Sequence, residues 1–459
     1  MRPRNETARD QLPTLLKRHP GAKAAKLAEL AKTSPATMNR ILAEARADVI
    51  RIGRAGRTRY YLRRPLRGAA GTLPLYAVDI QGNASQIGQL SLIAPQGSVL
   101  DVATLGWPVE AEFADGVWPG LPYPLQDMRP QGFLGRSFAR QLAQDLGVSS
   151  NPTEWSDDDA LYILSQRGAD TSGNLILGDV ALDRWLKFKT APLDVLTPQN
   201  CEQGYAQRAN QASAMGAVGS SAAGEFPKFT ALRELPGSQT PHVIVKFSGA
   251  EDSSTVRRWA DLLVCEHLAL ETIRTAPGIE SALSRVIQFQ GRTFLEVERF
   301  DRHGRFGRSP LCSLETIDAA MLSKSSNDWG ALGELLCEQG WISELSVRTV
   351  RNISMFGKLI GNTDMHKGNL SFVPGLPMRV APVYDMLPMM YAPLAGGEIP
   401  KVDYAPELPA PKNRDIWHQM STAAMMFWES AAADERISSE FQASCRQNLE
   451  VLAKLKILA

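Results

Sequence analysis

The chain has 459 residues, 44% hydrophobic and 22% charged, a composition typical of globular proteins and unlike that of disordered ones. Its length corresponds to about three domains of roughly 150 residues each. The five cysteines are spread along the chain with no C-x-x-C pair, which excludes a disulfide framework and a cysteine-rich zinc site. No stretch approaches the ~18 apolar residues of a membrane helix, and no apolar run follows the basic N-terminus. The sequence therefore predicts a soluble, cytoplasmic protein with no membrane partner.

The net charge of +1 is an average over two unlike parts of the chain. Residues 1–70 carry 17 Lys and Arg against 5 Asp and Glu, a balance of +12, whereas the other 389 residues hold 33 against 44, a balance of −11. Such an asymmetry indicates a basic head that binds nucleic acid, joined to a body that does not bind it. A disordered basic tail is the alternative interpretation.

The pattern inside the basic head favours an ordered domain. Apolar residues recur at helical spacing in three short stretches, and Ser34-Pro35 can supply the N-cap and first residue of the third helix. The outer face of that helix carries Thr37, Asn39 and Arg40. Two helices joined by a tight turn, the second one polar and basic outside, are typical of a helix-turn-helix.

A hairpin follows the third predicted helix. Residues 49–52 and 57–62 alternate as strands around a turn at 53–56, so that residues 1–68 resemble a winged-helix DNA-binding domain. The third helix would enter the major groove, and the hairpin arginines would neutralise phosphates or reach the minor groove. These arginines are Arg51, Arg54, Arg57 and Arg59. Winged helices also mediate protein contacts, and that alternative stays open. The next three arginines, Arg63, Arg64 and Arg67, are predicted to form a solvated linker.

The middle of the chain is rich in aromatic residues placed among Pro and Gly turns. Trp107, Trp118, Tyr123 and Trp155 would provide a stacking surface if this part bound bases. Aromatic side chains in such surroundings are more often anchors of a small core. We therefore predict that these four are buried.

A run of small residues and a lone lysine begin a phosphate-transfer pattern in the second half. The run consists of Gly219, Ser220, Ser221, Ala222, Ala223 and Gly224. Its main-chain N–H groups would approach phosphates closely, although such runs are usually flexible loops. Lys246 lies in an apolar strand, so it either meets an anion or faces water at a sheet edge. A helix that contains Glu266 and another strand follow, which is the order of a kinase N-lobe.

The strongest signal is the spacing of three polar residues further along the chain. Asp364 is followed five residues later by Asn369, as in the catalytic loop of protein kinases. Asp385 follows a short predicted strand, where kinases hold the metal that bridges the ATP phosphates. The order of glycine loop, lysine, Asp-x₄-Asn and Asp predicts a phosphotransferase that uses ATP and Mg²⁺.

The motif at residues 362–371, the Ala-Pro-Val-Tyr-Asp at 381–385 and the segment 297–302 together resemble the HipA-like serine/threonine kinases, toxins of bacterial toxin–antitoxin systems. The basic head indicates the stand-alone, YjjJ-like branch of that family. The resemblance implies an α+β fold, in which a winged head precedes a reduced, two-lobed kinase-like body. The body would comprise an N-terminal subdomain (74–190, the middle domain), an N-lobe with the nucleotide loop (191–300) and a helical C-lobe (301–459).

The resemblance also implies roles for individual residues. Asp364 would be the catalytic aspartate, Asn369 and Asp385 would hold Mg²⁺, and Lys246 would contact the α- and β-phosphates. The loop from Gly219 to Gly224 would cover the triphosphate, with Ser220 or Ser221 as the site of autophosphorylation. Glu298 and Phe300 would lie at the hinge that meets adenine. The basic residue between Asp364 and Asn369, Lys367, is shifted by one position from the family pattern, and His366 is predicted to be structural.

Partners follow from the same resemblance. They are DNA, a protein substrate (an aminoacyl-tRNA synthetase in many relatives) and an antitoxin, with nucleoid association as a consequence of DNA binding. Two alternatives remain open. In the first, the protein is a transcription regulator whose kinase-like body only senses nucleotide. In the second, the acidic residues of the body form a metal-dependent nuclease that acts on DNA bound by the head.

Overall fold

A computed structural model describes residues 6–69, 71–215 and 225–459. The head contains three helices, α1 (Glu6–Arg18), α2 (Ala24–Leu30) and α3 (Pro35–Glu44), and an antiparallel hairpin, β1 (Val49–Ile52) with β2 (Arg59–Leu62). The side chain of Ser34 accepts the N–H of Thr37 and caps α3, as its position before Pro35 predicts. Apolar residues from all three helices bury one another in a small core.

The head is docked on the body through its hairpin. Ile50 and Tyr61 are buried against Ile93 of the middle domain, and the N–H of Ala94 donates to the carbonyl of Leu62 at 2.8 Å. Beyond the hairpin, Arg64 makes two hydrogen bonds to Asp158 at 2.5 and 2.7 Å. Arg67 pairs with Asp159, and Arg63 donates to Thr72. The prediction of a solvated linker is therefore wrong, because all three arginines have partners in the middle domain, and those of Arg64 and Arg67 lie 94 and 92 residues away in the sequence.

The middle domain pairs one antiparallel sheet with three helices. Its strands are β3 (Thr72–Val78), β4 (Ala84–Leu92), β5 (Ser98–Val99), β6 (Val117–Trp118) and β7 (Leu175–Leu177), in the order β6-β5-β4-β3-β7. Its helices are α4 (Gly132–Leu146), α5 (Asp157–Arg167) and α6 (Asp179–Thr190). Trp107, Trp118, Tyr123 and Trp155 are at most 6% exposed, which confirms that they are core residues and not a stacking surface.

The N-lobe is a five-stranded sheet between two helices. Its strands are β8 (Val195–Leu196), β9 (Lys228–Arg233), β10 (His242–Phe247), β11 (Ser284–Phe289) and β12 (Arg292–Glu298), in the order β11-β12-β10-β9-β8. Helix α7 (Cys201–Met215) packs on one face with the apolar residues of β9, β10 and β12. Helix α8 (Ser254–Arg274) lies on the opposite side, where Glu266 meets Lys246. Alternation along each strand thus decides which side chains face α7 and which lie on the opposite face with Lys246.

The C-lobe is mainly helical. Its helices are α9 (Leu314–Ile317), α10 (Trp329–Glu338), α11 (Glu344–Leu359), α12 (Arg414–Ala433) and α13 (Ser439–Leu458). Its strands are short: β13 (Arg302–His303) pairs with β14 (Gly307–Arg308), and β15 (Cys312–Ser313) pairs with β16 (Ser371–Val373), which pairs in turn with β17 (Arg379–Val380). Trp329, Trp417, Trp428, Phe427 and Phe441 fill its core. Among the described residues, no helix is both long and apolar enough to span a membrane.

A buried ion network crosses the face of the N-lobe sheet that α7 covers. Arg233, 1% exposed, donates to Glu296 at 2.7 Å and to Glu298 at 2.6 Å. Glu296 also accepts hydrogen bonds from Arg285 and from Tyr205 at 2.7 Å. Burial raises the pKa of Glu296, but Arg285, Arg233 and Tyr205 together hold that pKa below its usual value. Both carboxylates therefore depend on a shared cation.

Replacing Arg233 with methionine is expected to lower the free energy of unfolding by about 3–5 kcal/mol, because it removes the cation that the buried Glu296 and Glu298 share. Glu296 keeps its second cation, Arg285. Since the pKa of Glu296 is depressed in the folded chain, its contribution is present above its unfolded pKa and is lost as the pH falls. The difference between variant and wild type should therefore shrink towards pH 4. Urea unfolding at pH 7 and pH 4 measures both effects, and a loss under about 1 kcal/mol at pH 7 would contradict the interpretation.

Candidate functional site

A cleft of about 1220 Å³ opens where the N-lobe sheet, the loops of the C-lobe and helix α4 of the middle domain meet. It collects residues that lie far apart in the sequence. The sequence-predicted residues that line it are Lys246, Glu298, Phe300, Asp364, Asn369 and Asp385.

Lys246 lies on the inner face of β10 and is buried rather than placed at a sheet edge. Its Nζ donates to both oxygens of Glu266 on α8, at 2.8 and 2.7 Å, and also pairs with Asp385. Burial lowers the pKa of this lysine, and the charge of Glu266 opposes the shift. The buried cation therefore has the anionic partners that its place in an apolar strand demands.

Lys228 is a second cation of the cleft that the sequence pattern did not single out. The antiparallel register sets it directly opposite Lys246, so both side chains lie on one face of the sheet. Lys228 pairs with Glu225 at 3.1 Å, and its charge contributes to the lowered pKa of Lys246. Two lysines thus lie side by side on one wall of the cleft, each paired with carboxylates.

Asp364 and Asn369 lie on the loop that follows α11. The side-chain nitrogen of Asn369 donates to the main-chain carbonyl of Asp364 at 2.9 Å, so the amide oxygen is the atom of this side chain that could hold a metal ion. The Nδ1 of His366 accepts the N–H of Gly368 at 3.1 Å, a hydrogen bond of the structural kind expected for this histidine. The carboxylate of Asp364 is exposed to the cleft.

Asn362 joins the two aspartate motifs, a role that the sequence pattern did not reveal. Its Oδ1 accepts the N–H of Asp364 at 3.0 Å, and its Nδ2 donates to the carbonyl of Asp385 at 3.4 Å. The side chain is only 7% exposed, so packing fixes its orientation. One buried amide thus sets the position of one aspartate relative to the other.

Asp385 is held in an uncommon backbone conformation. Its φ of 51° lies in the left-handed region, which non-glycine residues adopt rarely and often at functional positions. The preceding Tyr384 donates its hydroxyl hydrogen to the carbonyl of Gly368 at 2.8 Å, which ties this turn to the loop that carries Asp364 and Asn369. The Asp385 carboxylate therefore contacts Lys246 and also lines the cleft.

Lys367 does not face the cleft. Its Nζ donates to Asp318 at 2.6 Å and to the carbonyl of Lys324 at 2.9 Å. Lys367, which is shifted by one position from the family pattern, thus links the loop that carries Asp364 to the turn that follows α9.

The two predicted hinge residues, Glu298 and Phe300, differ in which of their groups are available to a ligand in the cleft. The side chain of Glu298 is bound to Arg233 on the α7 face of the sheet, so only its main chain is suited to meet a ligand. Phe300 lies with its ring 5.8 Å from that of Tyr384 at the cleft wall. The predicted phosphate loop, Gly219 to Gly224 with Ser220 and Ser221, lies outside the described residues.

The exposed surface of the head carries the residues predicted to meet DNA. Asn39 and Arg40 are exposed on α3, with Thr37 half-buried beside them. The hairpin arginines at 51, 54, 57 and 59 are also exposed, but Arg59 lies 3.7 Å from Asp115 of the middle domain. Of the residues predicted to meet DNA, Asn39 and Arg40 on α3 and the arginines at the tip of the hairpin are therefore on the exposed surface of the head.

Comparison with known proteins places the chain in a family. Residues 69–186 match the YjjJ-like toxin middle domain, and residues 220–449 match the HipA-like C-terminal domain. The chain is 37% identical over 427 residues to Toxin YjjJ of Escherichia coli K12, covering 92% of this chain and 93% of that protein.

A solved structure shares the fold. The chain resembles HipA from the HipA, HipB and operator DNA complex of Shewanella oneidensis MR-1, with a TM-score of 0.53 and 18% identity, over 84% of this chain and 96% of that one. The mixed α and β architecture of the body is therefore that of HipA. From the two matched domains and the relative that spans nearly the whole chain, the protein belongs to the YjjJ-like toxins of the HipA-related toxin–antitoxin family.

Proposed function

We propose that this toxin is an ATP- and Mg²⁺-dependent serine/threonine protein kinase whose basic head binds DNA. The observation that carries the proposal is the junction of Lys246, Glu266 and Asp385 in one cleft, with Asn362 fixing Asp364 beside them. These residues come from four separate parts of the chain, and their meeting in one cleft supports a role in phosphoryl transfer from ATP.

The walls of the cleft suit a nucleoside triphosphate. Lys246 and Lys228 supply positive charge for the phosphates from adjacent strands. The main chain around Glu298 and the ring of Phe300 lie at the end of β12, where adenine would be received. The two lysines therefore favour an anionic nucleotide over a neutral ligand.

Asn369 and Asp385 are the residues that would hold Mg²⁺. Carboxylate and amide oxygens are the hard donors that this ion prefers, and one or two of them suffice when phosphates complete the coordination. When bound, the ion would neutralise charge that develops on the phosphates. Lys246 contacts Asp385, so a lysine that turns towards phosphate frees this carboxylate for the cation.

Asp364 would orient the acceptor. Its exposed carboxylate would accept a hydrogen bond from the substrate hydroxyl, whose oxygen forms a bond to the γ-phosphorus while the bond to the bridging oxygen of ADP breaks. Late in transfer, the hydroxyl proton passes to Asp364. Most of the rate enhancement would then come from positioning and from electrostatic stabilisation.

The head would act as a winged helix that binds operator DNA, giving toxin and repressor in one chain. Three helices, a hairpin and a balance of +12 support this proposal. The acceptor would be a hydroxyl of a cellular protein, with an aminoacyl-tRNA synthetase and a cognate antitoxin as the partners that family resemblance favours.

Calorimetric titration with ATP tests the nucleotide site. Wild type should bind ATP more tightly when Mg²⁺ is present, and Asp385→Asn should lose that enhancement. Asp183→Asn, which alters an exposed pair with Lys187 on α6, is a matched carboxylate-to-amide control. Absence of ATP binding by wild type would contradict the proposal. Plasmid incubated with the protein and Mg²⁺, but without ATP, should stay intact, whereas cleavage would favour the nuclease alternative.

A further inference from the structure

One segment of the middle domain, residues 127–136, contacts both lobes of the body and lines the cleft between them. We call this segment the strap. It includes the end of a short 3₁₀ turn and the first turn of α4. Its two ends bind different lobes through carboxylate groups.

The C-lobe end of the strap is held by Asp127. This carboxylate accepts the N–H of Ser313 at 2.6 Å, the hydroxyl of Ser313 at 2.7 Å and the hydroxyl of Thr316 at 2.8 Å. Ser313 is the N-cap of α9, and the N–H of Leu314 donates to the carbonyl of Leu370 beside Asn369. Asp127 thus binds the first turn of α9, which is itself hydrogen-bonded to the residue that follows Asn369.

The N-lobe end of the strap is held by Glu225. This carboxylate accepts the N–H of Phe133 at 2.8 Å and a guanidinium hydrogen of Arg136 at 2.8 Å. It also pairs with Lys228, which lies opposite Lys246. Burial raises the pKa of Glu225, but Lys228, the Phe133 N–H and Arg136 together hold it below its usual value. The tie is therefore charge-assisted, and it ends at the cationic wall of the cleft.

Between these ends the strap is stiff. Arg129 donates to Asp157 at 2.7 Å and to the carbonyl of Trp155 at 2.8 Å. Pro130 packs so closely on α4 that a Cβ added at Gly135 would lie 2.4 Å from its carbonyl carbon. Close-packed segments transmit a displacement instead of absorbing it.

We propose that the strap fixes the position of the N-lobe relative to the C-lobe, and that Asp127 and Glu225 are positioning residues for the cleft. The chemical consequence rests on the proposed function, since transfer depends on how Lys246 from one lobe meets Asp364 and Asp385 from the other. The middle domain then contributes to the geometry of the cleft, and a change at either tie affects the other.

Hydrogen–deuterium exchange of the full chain tests the coupling without relying on activity. Glu225→Gln should raise exchange by about tenfold at its own tie, and also in peptides that cover residues 311–317 in the C-lobe. Asp127→Asn should raise exchange reciprocally in peptides that cover residues 225–233 in the N-lobe. Gly135→Ala, which disturbs the packing and removes no charge, should loosen both ties. Asp183→Asn on α6 should change neither.

Exchange that rises only around each substituted residue would overturn the proposal. If Glu225→Gln is too unstable to purify, Arg136→Gln weakens the same tie from the strap side and is read in the same way. Reciprocal exchange in a chain that transfers no phosphate would support the strap and count against the kinase. Phosphate transfer with strictly local exchange would support the kinase and count against the strap.

Discussion

Asp364→Asn is expected to reduce phosphoryl transfer by about 10²–10⁴-fold and to leave the fold intact. In the proposed mechanism the exposed carboxylate orients the acceptor hydroxyl and takes up its proton, and an uncharged amide would do neither well. The hydrogen bonds that hold Asp364 in its loop use its main-chain N–H and C=O, so the substitution leaves them in place. Steady-state transfer from ATP to protein measures the loss.

Retention of ATP binding by this variant separates catalysis from binding. Calorimetry should give a dissociation constant within about threefold of wild type, because Lys246 and Lys228 are untouched. Asp183→Asn, on the exposed face of α6, should keep full activity. An Asp364→Asn variant that transfers phosphate at the wild-type rate would remove this residue from the mechanism.

Replacing Arg51, Arg54 and Arg57 together with glutamine is expected to weaken DNA binding severely. Each arginine that neutralises a phosphate releases about one counterion, so the slope of log affinity against log salt should fall by about 3. The three residues are exposed and lie away from the surface docked on the middle domain, so the fold of the head should persist. Fluorescence anisotropy with a fragment of the chain's own promoter, over a series of salt concentrations, provides the slope.

Substitution is a better test of the head than deletion. Removing residues 1–68 would expose Ile93 and leave Asp158 and Asp159 without Arg64 and Arg67, which would disturb the middle domain as well. Lys187→Gln removes an exposed cation from the body and should leave the salt slope unchanged. An unaltered slope in the triple variant would show that the hairpin tip does not contact phosphates.

The residues that meet in the cleft could be predicted from the sequence because their signal is local. Asp364 and Asn369 are separated by five positions on one loop, and a lysine inside an apolar strand indicates a buried anionic partner. Asn362 stood in the same motif, but its bridge to Asp385 depends on how two loops pack. Spacing therefore identifies which residues meet in the cleft, and the packing of the loops decides which side chains hold them in place.

Other parts of the site depend on contacts between distant segments. Asp127 and Ser313 are 186 residues apart, and Lys228 faces the cleft only because of its register opposite Lys246. The same alternation along the strand turns the side chain of Glu298 to the opposite face of the sheet. The docked linker was also unpredictable, because arginines in a polar stretch give no sign of their partners on α5. Pairing and domain packing, rather than local pattern, set these positions.

The most direct test of the central claim is transfer of labelled γ-phosphate from ATP to protein in a cell lysate, with added wild type or Asp385→Asn and with Mg²⁺ present. The proposed mechanism predicts a labelled protein band with wild type and none with the variant, since Asp385 is needed to hold the metal that neutralises the phosphates. A band of equal intensity with both proteins, or no labelled protein with wild type, would contradict the kinase mechanism.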